Sequence, residues 1–337
     1  MQINKNKILV TGAEGFIGSH LCEALVKKGA KVKALILYNS FNKEGWLEDI
    51  PKHIRNNIEV IPGDVRDKEF LTKLTKGVDI IFNLAALISI PYSYNAPRSY
   101  LNTNTAGTLN ILESARVSNC EKVISTSTSE VYGTAIKTPI DESHPIQAQS
   151  PYAASKAAAD LFLESYVKSF NLPAIILRPF NTYGPRQSER AVIPSIIRQV
   201  LDDKIKSIKI GNTDAKRDFN HVQDTVSAFI SLAETNNKKI DFGGVYNAGS
   251  GRAISIERVL KKIIKLTGSS KKIIQDKKRI RPKNSEVHNL IASSKKLNRL
   301  NNWKPLFTLE EGLQNTINWW DERRKKNKIR SNTNYAI

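Results

Sequence analysis

Tyr152 and Lys156 stand four apart within a stretch, 152–170, whose apolar residues recur every three or four positions, which predicts a helix carrying both side chains on one face. That pairing has chemical meaning. A tyrosine must lose about three pKa units to act as a base near neutrality, roughly 4 kcal/mol, and a neighbouring ammonium favours the phenolate. Thr128-Ser129-Glu130 follows an expected strand at 123–126, which sets a carboxylate beside a hydroxyl at the carboxyl edge of a sheet, where ligands of open α/β folds bind. The third cluster is Thr11-Gly12-Ala13-Glu14-Gly15-Phe16-Ile17-Gly18, between an expected strand at 8–11 and an expected helix at 16–28. Gly12 permits a tight turn, Gly15 lets backbone approach a pyrophosphate, and Gly18 lets the helix pack close to the sheet. The helix N-terminus then offers unpaired N–H groups to the anion, so the loop reads as a dinucleotide site. The second strand ends Leu35-Ile36-Leu37-Tyr38-Asn39 with neither acid nor adjacent arginine, so NAD and NADP both stay open.

These clusters need a frame. Short β-branched runs at 8–11, 32–37, 58–61, 80–84, 123–126 and 175–177 alternate with helical patterns, notably 100–117 and 152–170, the rhythm of a parallel sheet. After Pro179 the rhythm loosens into helix candidates at 193–201, 224–233, 256–266 and 309–323. The expected architecture is α/β: a Rossmann-type doubly wound parallel sheet with a smaller C-terminal substrate-binding lobe. Residues 1–180 would form the cofactor domain, with 222–248 returning to it. Residues 181–221 and 249–325 would form the lobe, and 326–337 a basic tail.

Length and composition agree with this. The 337 residues, 40% of them apolar, suffice for a core larger than one small module. A net charge of +20 favours anionic partners without choosing among them. Residues 261–283 hold ten Lys/Arg against Asp276 alone, but no aromatic residues interleave, so a solvated surface is expected and not a nucleic-acid site. Cys22 and Cys120 lie far apart with no Cys/His cluster, which argues against a disulfide framework and against a metal site, and suits a reducing cytoplasm. The best apolar stretch, 78–90, is interrupted by Asp79 and Asn83, so neither a signal peptide nor a membrane span is expected.

With the glycine loop, Thr128 and the Tyr-x-x-x-Lys pair in this order, the chain resembles the extended short-chain dehydrogenase/reductase family along nearly its whole length. The resemblance implies that Thr128, Tyr152 and Lys156 are the catalytic trio, the threonine hydroxyl holding the substrate oxygen and the lysine also holding the nicotinamide ribose. It places Gly12, Gly15, Phe16, Ile17 and Gly18 on the cofactor, together with Asp64 and Val65 of an adenine-side loop. Leu84, Ala85 and Ala86 look like the small-residue wall beside the cofactor, and Pro179 lies on the same side. Residues 178–186 resemble the segment joining cofactor and sugar-nucleotide sites, with Asn181, Arg186 and Val192 on the substrate. Arg217 and Arg281 look like diphosphate clamps, a role that suits a guanidinium fork better than a lysine point charge.

Glu130 narrows the reaction. Oxidation at C4 of a hexose makes the C5 proton acidic, because the resulting anion delocalises into the new ketone, and Glu130 is placed in sequence to remove it. Loss of the C6 hydroxyl and return of hydride to C6 would complete a redox-neutral 4,6-dehydration. The best-known dehydratases carry Asp where this chain has Ser129, so Glu130 or a held water would have to protonate the leaving hydroxyl. Thr-Ser-Glu also occurs in the family's nucleoside-diphosphate glucuronate decarboxylases, the main rival, with 4-epimerases a further alternative. Those decarboxylases resemble one another in carrying an arginine-bearing loop just ahead of the catalytic tyrosine, whereas residues 147–152 offer no cation to a substrate carboxylate, which favours dehydration. Residues 37–42, 85–94 and 127–133 resemble the 4,6-dehydratases of the legionaminic acid pathway. That likeness implies a UDP- or GDP-linked N-acetylglucosamine substrate, with Ile88 and Tyr92 lining the hexose pocket. A homodimer through the helices at 100–117 and 152–170 is implied by the family.

Overall fold

The computed structural model describes residues 3–276, 279, 282, 285–287 and 289–329. Seven strands build one sheet: β1 (Lys7–Thr11), β2 (Lys31–Leu37), β3 (Ile58–Gly63), β4 (Ile80–Asn83), β5 (Lys122–Thr126), β6 (Ala174–Pro179) and β7 (Val245–Ala248). Their spatial order is 3-2-1-4-5-6-7, and every pairing is parallel. The seven main helices are α1 (Phe16–Lys27), α2 (Gly107–Val117), α3 (Pro151–Phe170), α4 (Val192–Leu201), α5 (Val222–Glu234), α6 (Ile256–Thr267) and α7 (Leu309–Lys325).

A parallel sheet must be covered on both faces, and alternate residues of its strands serve alternate cores. Ile8 and Val10 of β1 join Phe82, Ile124 and Ile175 beneath Leu21 and Leu25 of α1 and Val226 and Phe229 of α5. Leu9 turns the other way, with Ile81, Val123 and Ile176, against Ile111 and Leu112 of α2 and Leu163 of α3. This is the doubly wound arrangement that the alternating pattern predicts. The smaller lobe has its own core, in which Ile193, Ile196 and Ile197 of α4 meet Val259, Leu260 and Ile263 of α6 and Leu313, Ile317 and Trp320 of α7. Truncating Ile263, fully buried here, to alanine would cost about 2–5 kcal/mol.

Three elements differ from the sequence-based expectation. The helix expected over 100–117 is broken by a wide π-helical turn at Leu101–Ala106, ahead of α2. The wide turn places Asn104 and Thr105 in the interior, where both bond to α3: Asn104 Nδ2 donates to Ser155 Oγ at 2.9 Å and Thr105 Oγ1 to Ser155 O at 2.9 Å. Periodicity cannot register one inserted residue. β7 was not among the expected strands; it is four residues long with glycines on either side, too short to show a pattern. The helix expected to begin at Tyr152 begins at Pro151, with Ser150 Oγ accepting from Ala153 N at 3.1 Å.

Where the basic stretch is described, its lysines serve the surface and a helix end. Lys261 and Lys262 pair with Glu257 and Glu310, and Lys271 Nζ donates to the carbonyls of Gln199, Val200 and Asp202 at the end of α4. Residues 330–337 of the expected tail lie outside the described residues. Among the described residues no helix is long and apolar enough to cross a membrane, and no group of metal-binding side chains occurs.

Candidate active site

The strand order reverses between β1 and β4, and the chemistry-bearing residues gather at the carboxyl ends of β1, β4 and β5 around that switch point. Thr11 locks the crevice: its Oγ1 donates to Asn83 Oδ1 at 2.9 Å and accepts from Leu84 N and Ala85 N, both at 3.0 Å. Gly12 has φ +64°, and a Cβ there would stand 2.9 Å from Ala85 N and Cα; one on Gly18 would lie 2.2 Å from Gly12 O. Gly15 is different. Its nearest neighbour would be Gly12 O at 3.1 Å, no side chain caps α1, and the first turn of α1 contains no acid. The loop therefore keeps bare N–H groups facing an open approach, as a pyrophosphate requires.

The remaining cofactor-side candidates take several positions. Phe16 and Ile17 open α1 and pack on the core, while Leu84, Ala85 and Ala86 are half-buried beyond β4. Val65 is buried and Pro179 ends β6. Asp64 is gripped by Arg66 through Nε at 2.9 Å, which holds its carboxyl below the usual range.

Thr128, Glu130, Tyr152 and Lys156 are all at least nine-tenths buried. Thr128 Oγ1 accepts from Glu130 N at 3.3 Å, and its side chain is hydrogen-bonded to the Tyr152 phenol. Ser129 and Glu130 sit in a tight 3₁₀ turn, Ser129–Tyr132, closed by Gly133 at φ +63°, where a Cβ would meet Gln147 O at 2.2 Å. Lys156 lies one turn after Tyr152 on α3. Sequence reasoning expects the ammonium to bring the phenol down. In the structure burial drives the Tyr152 phenol up, the Thr128 bond lowers it, and the Glu130 carboxylate raises it again. Lys156 is itself pushed down to about 8 by burial, with Asp160 opposing. An ammonium stripped of solvent has lost part of its own preference for charge, so the pair alone does not make Tyr152 a base. In this state the phenol is a proton donor.

Sequence reasoning missed several supporting residues. Asn104 accepts from Leu87 N at 2.8 Å while donating to Ser155 Oγ, which in turn donates to Tyr152 O at 2.7 Å. Asp160 Oδ2 receives Ser127 Oγ at 2.6 Å and Arg178 Nη2 at 2.8 Å, a buried network behind the trio. Tyr100 packs edge-on to Tyr152 and is tilted against Tyr92, with ring centroids 6.2 Å apart in both cases. Burial pushes the Tyr100 phenol up to about 12, and the nearby charge of Arg190 opposes this. A cation is thus present near the site after all, carried by the loop after β6 and not by residues 147–152. No sequence signal links positions 100 and 190.

On the substrate side, Ile88 is 64% exposed and Tyr92 39% exposed, beside this aromatic row. The Asn181 Oδ1 atom is buried without a partner. Arg217 Nη2 pairs with Glu286 at 2.9 Å, and Val192 opens α4 against the lobe core. Arg186 is turned to α1, where Nη2 meets Glu23 at 2.7 Å; it does not join the cluster around Tyr92 and Tyr152. Arg281 lies outside the described residues.

A switch-point crevice with a bare glycine loop and a buried Thr/Tyr/Lys trio defines the extended short-chain dehydrogenase/reductase class. Residues 9–316 match the family model described as GDP-mannose 4,6 dehydratase, and the chain belongs to that family of nucleotide-sugar-modifying enzymes. It is 33% identical to human (Homo sapiens) dTDP-D-glucose 4,6-dehydratase over 94% of this chain and 90% of the relative. It is 32% identical to UDP-N-acetyl-alpha-D-glucosaminuronate decarboxylase of Bacillus cytotoxicus, over 94% and 98%. Among solved structures it is similar, with a TM-score of 0.85 and 29% identity over 94% of this chain and 99% of the other, to UDP-glucuronic acid 4-epimerase from Bacillus cereus in complex with UDP-4-deoxy-4-fluoro-glucuronic acid and NAD. Its relatives thus include dehydratases, decarboxylases and epimerases.

Proposed function

We propose that the protein is an NAD-dependent 4,6-dehydratase of a UDP- or GDP-linked N-acetylglucosamine. The observation that carries this reading is the Glu130 carboxylate, buried beside Thr128 and close enough to the Tyr152 phenol to raise its pKa. An epimerase has no use for a base there. The glycine loop and the NAD of the similar epimerase structure support NAD as cofactor. Gly12, Gly15 and the uncapped N-terminus of α1 would hold NAD, which would supply a reversible hydride acceptor for the sugar and a positively charged ring to favour the Tyr152 phenolate.

The residues divide the work as follows. Thr128 holds the C4 oxygen by hydrogen bonding, and Tyr152 takes the C4 hydroxyl proton. Glu130 removes the C5 proton once C4 is a ketone. Protonated in that step, Glu130 gives the proton to the departing C6 hydroxyl, because Ser129 is too weak an acid to do so. Hydride addition at C6 leaves an enolate, which is reprotonated at C5 while Tyr152 gives up the proton it took from the C4 hydroxyl, so the product is a 4-keto-6-deoxy sugar nucleotide and water, with no net oxidation. Its use in synthesis of a legionaminic-type acid extends this reading, by the likeness of residues 37–42, 85–94 and 127–133 to that pathway's dehydratases.

The second reading is decarboxylation of a nucleotide glucuronate, and Arg190 favours it by offering a cation near Tyr100 for a substrate carboxylate. Incubating the protein with UDP- and GDP-N-acetylglucosamine and with UDP-glucuronate, followed by mass analysis, separates the two. A product lighter by water from an N-acetylglucosamine nucleotide supports dehydration. A product lighter by CO2 from the glucuronate overturns it.

A further inference from the structure

The ribose end of the cofactor crevice lacks the acid usually found at the end of β2, since Leu37 is followed by Tyr38 and Asn39. Asn39 is engaged within its own loop, its Nδ2 donating to Lys43 O at 2.8 Å and its Oδ1 accepting from Lys43 N at 3.0 Å. An acid arrives from elsewhere. Glu14, in the glycine loop, reaches the end of β2, where its Oε1 accepts from Leu37 N at 3.0 Å. Its backbone carbonyl accepts from Trp46 N at 3.0 Å, and Gly45, at φ +60°, comes so close that a Cβ there would stand 2.7 Å from Glu14 O. The 3₁₀ turn Gly45–Asp49 therefore clamps Glu14 in place.

The carboxylate is incompletely used within the protein. Its Oε2 is buried with no hydrogen-bond partner, and among the described residues no ion pair neutralises it. Burial raises its pKa while the Leu37 bond lowers it. A link whose only task was to tie the loop to β2 would be served equally well by a neutral amide, without the cost of holding a charge out of water. A dinucleotide whose pyrophosphate lies on Gly12 and Gly15 must run its adenosine ribose past this point, between the loop and the end of β2.

We propose that Glu14 is the residue that selects NAD over NADP, its carboxylate accepting the 2′-hydroxyl of the adenosine ribose and repelling a 2′-phosphate. The inference rests on the dinucleotide reading of the glycine loop. A hydroxyl donates a charge-assisted hydrogen bond to the anion, whereas a phosphate ester has no proton to give and brings like charge against it. The specificity acid has moved from the second strand to the first loop.

Isothermal titration of the full chain with NAD, NADP and NAD lacking the adenosine 2′-hydroxyl tests this, with Trp46 fluorescence as a second readout. The wild type should bind NAD about tenfold or more tightly than either analogue. Glu14→Gln retains an acceptor for Leu37 N and removes the charge. It should bind NADP more tightly than the wild type does, narrowing the preference about tenfold, with its melting temperature little changed. Glu14→Ala should weaken NAD binding and abolish the penalty for removing the 2′-hydroxyl. The proposal is overturned if both variants keep the wild-type preference, if they lose NAD and NADP in equal proportion, or if the wild type is indifferent to the missing hydroxyl. A wild type that binds neither dinucleotide overturns the reading of the loop itself, and is distinguishable from failure of Glu14 alone.

Discussion

Two residues carry the proposed chemistry through opposite electrostatic demands. Glu130 must be an anion beside a phenol, and Tyr152 must lose a proton in a place where burial and that anion both discourage it. Replacing Glu130 with glutamine keeps the shape and removes the base. Glu130→Gln should still oxidise C4, so that reduced cofactor accumulates and is seen by absorbance, while water loss falls by two or more orders of magnitude, the scale of a lost general base. Unchanged turnover would remove Glu130 from the mechanism. Lys156 supplies a pH signature. Its folded pKa, about 8, lies below the ordinary value of 10.5, so the ammonium is present below pH 8 and is lost above it. Turnover measured as kcat/KM should therefore decline on the alkaline side with an apparent pKa near 8, and a profile flat through that region would argue against a charged Lys156 in the reaction. The stability effect has the opposite sense: holding the ammonium in the interior costs stability below pH 8, and that cost lifts as pH rises toward 10.5.

At the scale of elements, the wide turn at Leu101–Ala106 positions α3 and hence the catalytic pair. Asn104 joins three parts of the site at once, since it receives Leu87 N, donates to Leu87 O at 3.0 Å, and holds Ser155 one turn from Tyr152. Asn104→Ala leaves a backbone N–H and a buried hydroxyl short of partners. We expect about 1–3 kcal/mol of destabilisation by denaturant titration, and a lower kcat with a smaller change in KM, because the lesion lies behind the tyrosine and not in the sugar pocket. A fall in KM-dependent binding alone would instead place Asn104 on the substrate. The Ser129–Tyr132 turn makes a parallel case, because Gly133 and Gln147 fix the turn through a close backbone approach while Thr128 Oγ1 holds Glu130 N.

At the scale of the molecule, buried histidines lie where the two parts of the chain meet. His20 of α1 bonds to Pro185 O at 2.9 Å, and His221 packs on Phe307 with ring centroids 4.1 Å apart. Burial lowers both to about 4 from 6.5, so between those values the unfolded chain binds protons that the folded one refuses. Stability should fall as pH drops through that window, by on the order of 3 kcal/mol for each histidine, as read by denaturant midpoints near neutrality and near pH 4. His20→Gln should flatten part of the slope. We also propose a homodimer, on the ground that Leu101, Leu161 and Phe162 are 46%, 58% and 40% exposed on the wide turn and α3. Leu161→Asp combined with Phe162→Asp should halve the mass seen by sedimentation, whereas a wild type that already sediments as a monomer would refute the dimer.

What the sequence determined by itself is whatever lies within a few residues: the glycine spacing, the Tyr152–Lys156 step and the alternation of strand and helix, because turns, helix faces and pleats are local and periodic. The short-range order of Thr128 and Glu130 was legible for the same reason. Tertiary structure alone decided how those pieces act. It brought Glu14 to the end of β2, Arg190 to Tyr100, Asp160 between Ser127 and Arg178, and Arg186 to Glu23. It also reversed the expected direction for Tyr152, since a pKa depends on how much water is excluded, and exclusion of water is a property of the packed molecule that no spacing along the chain records.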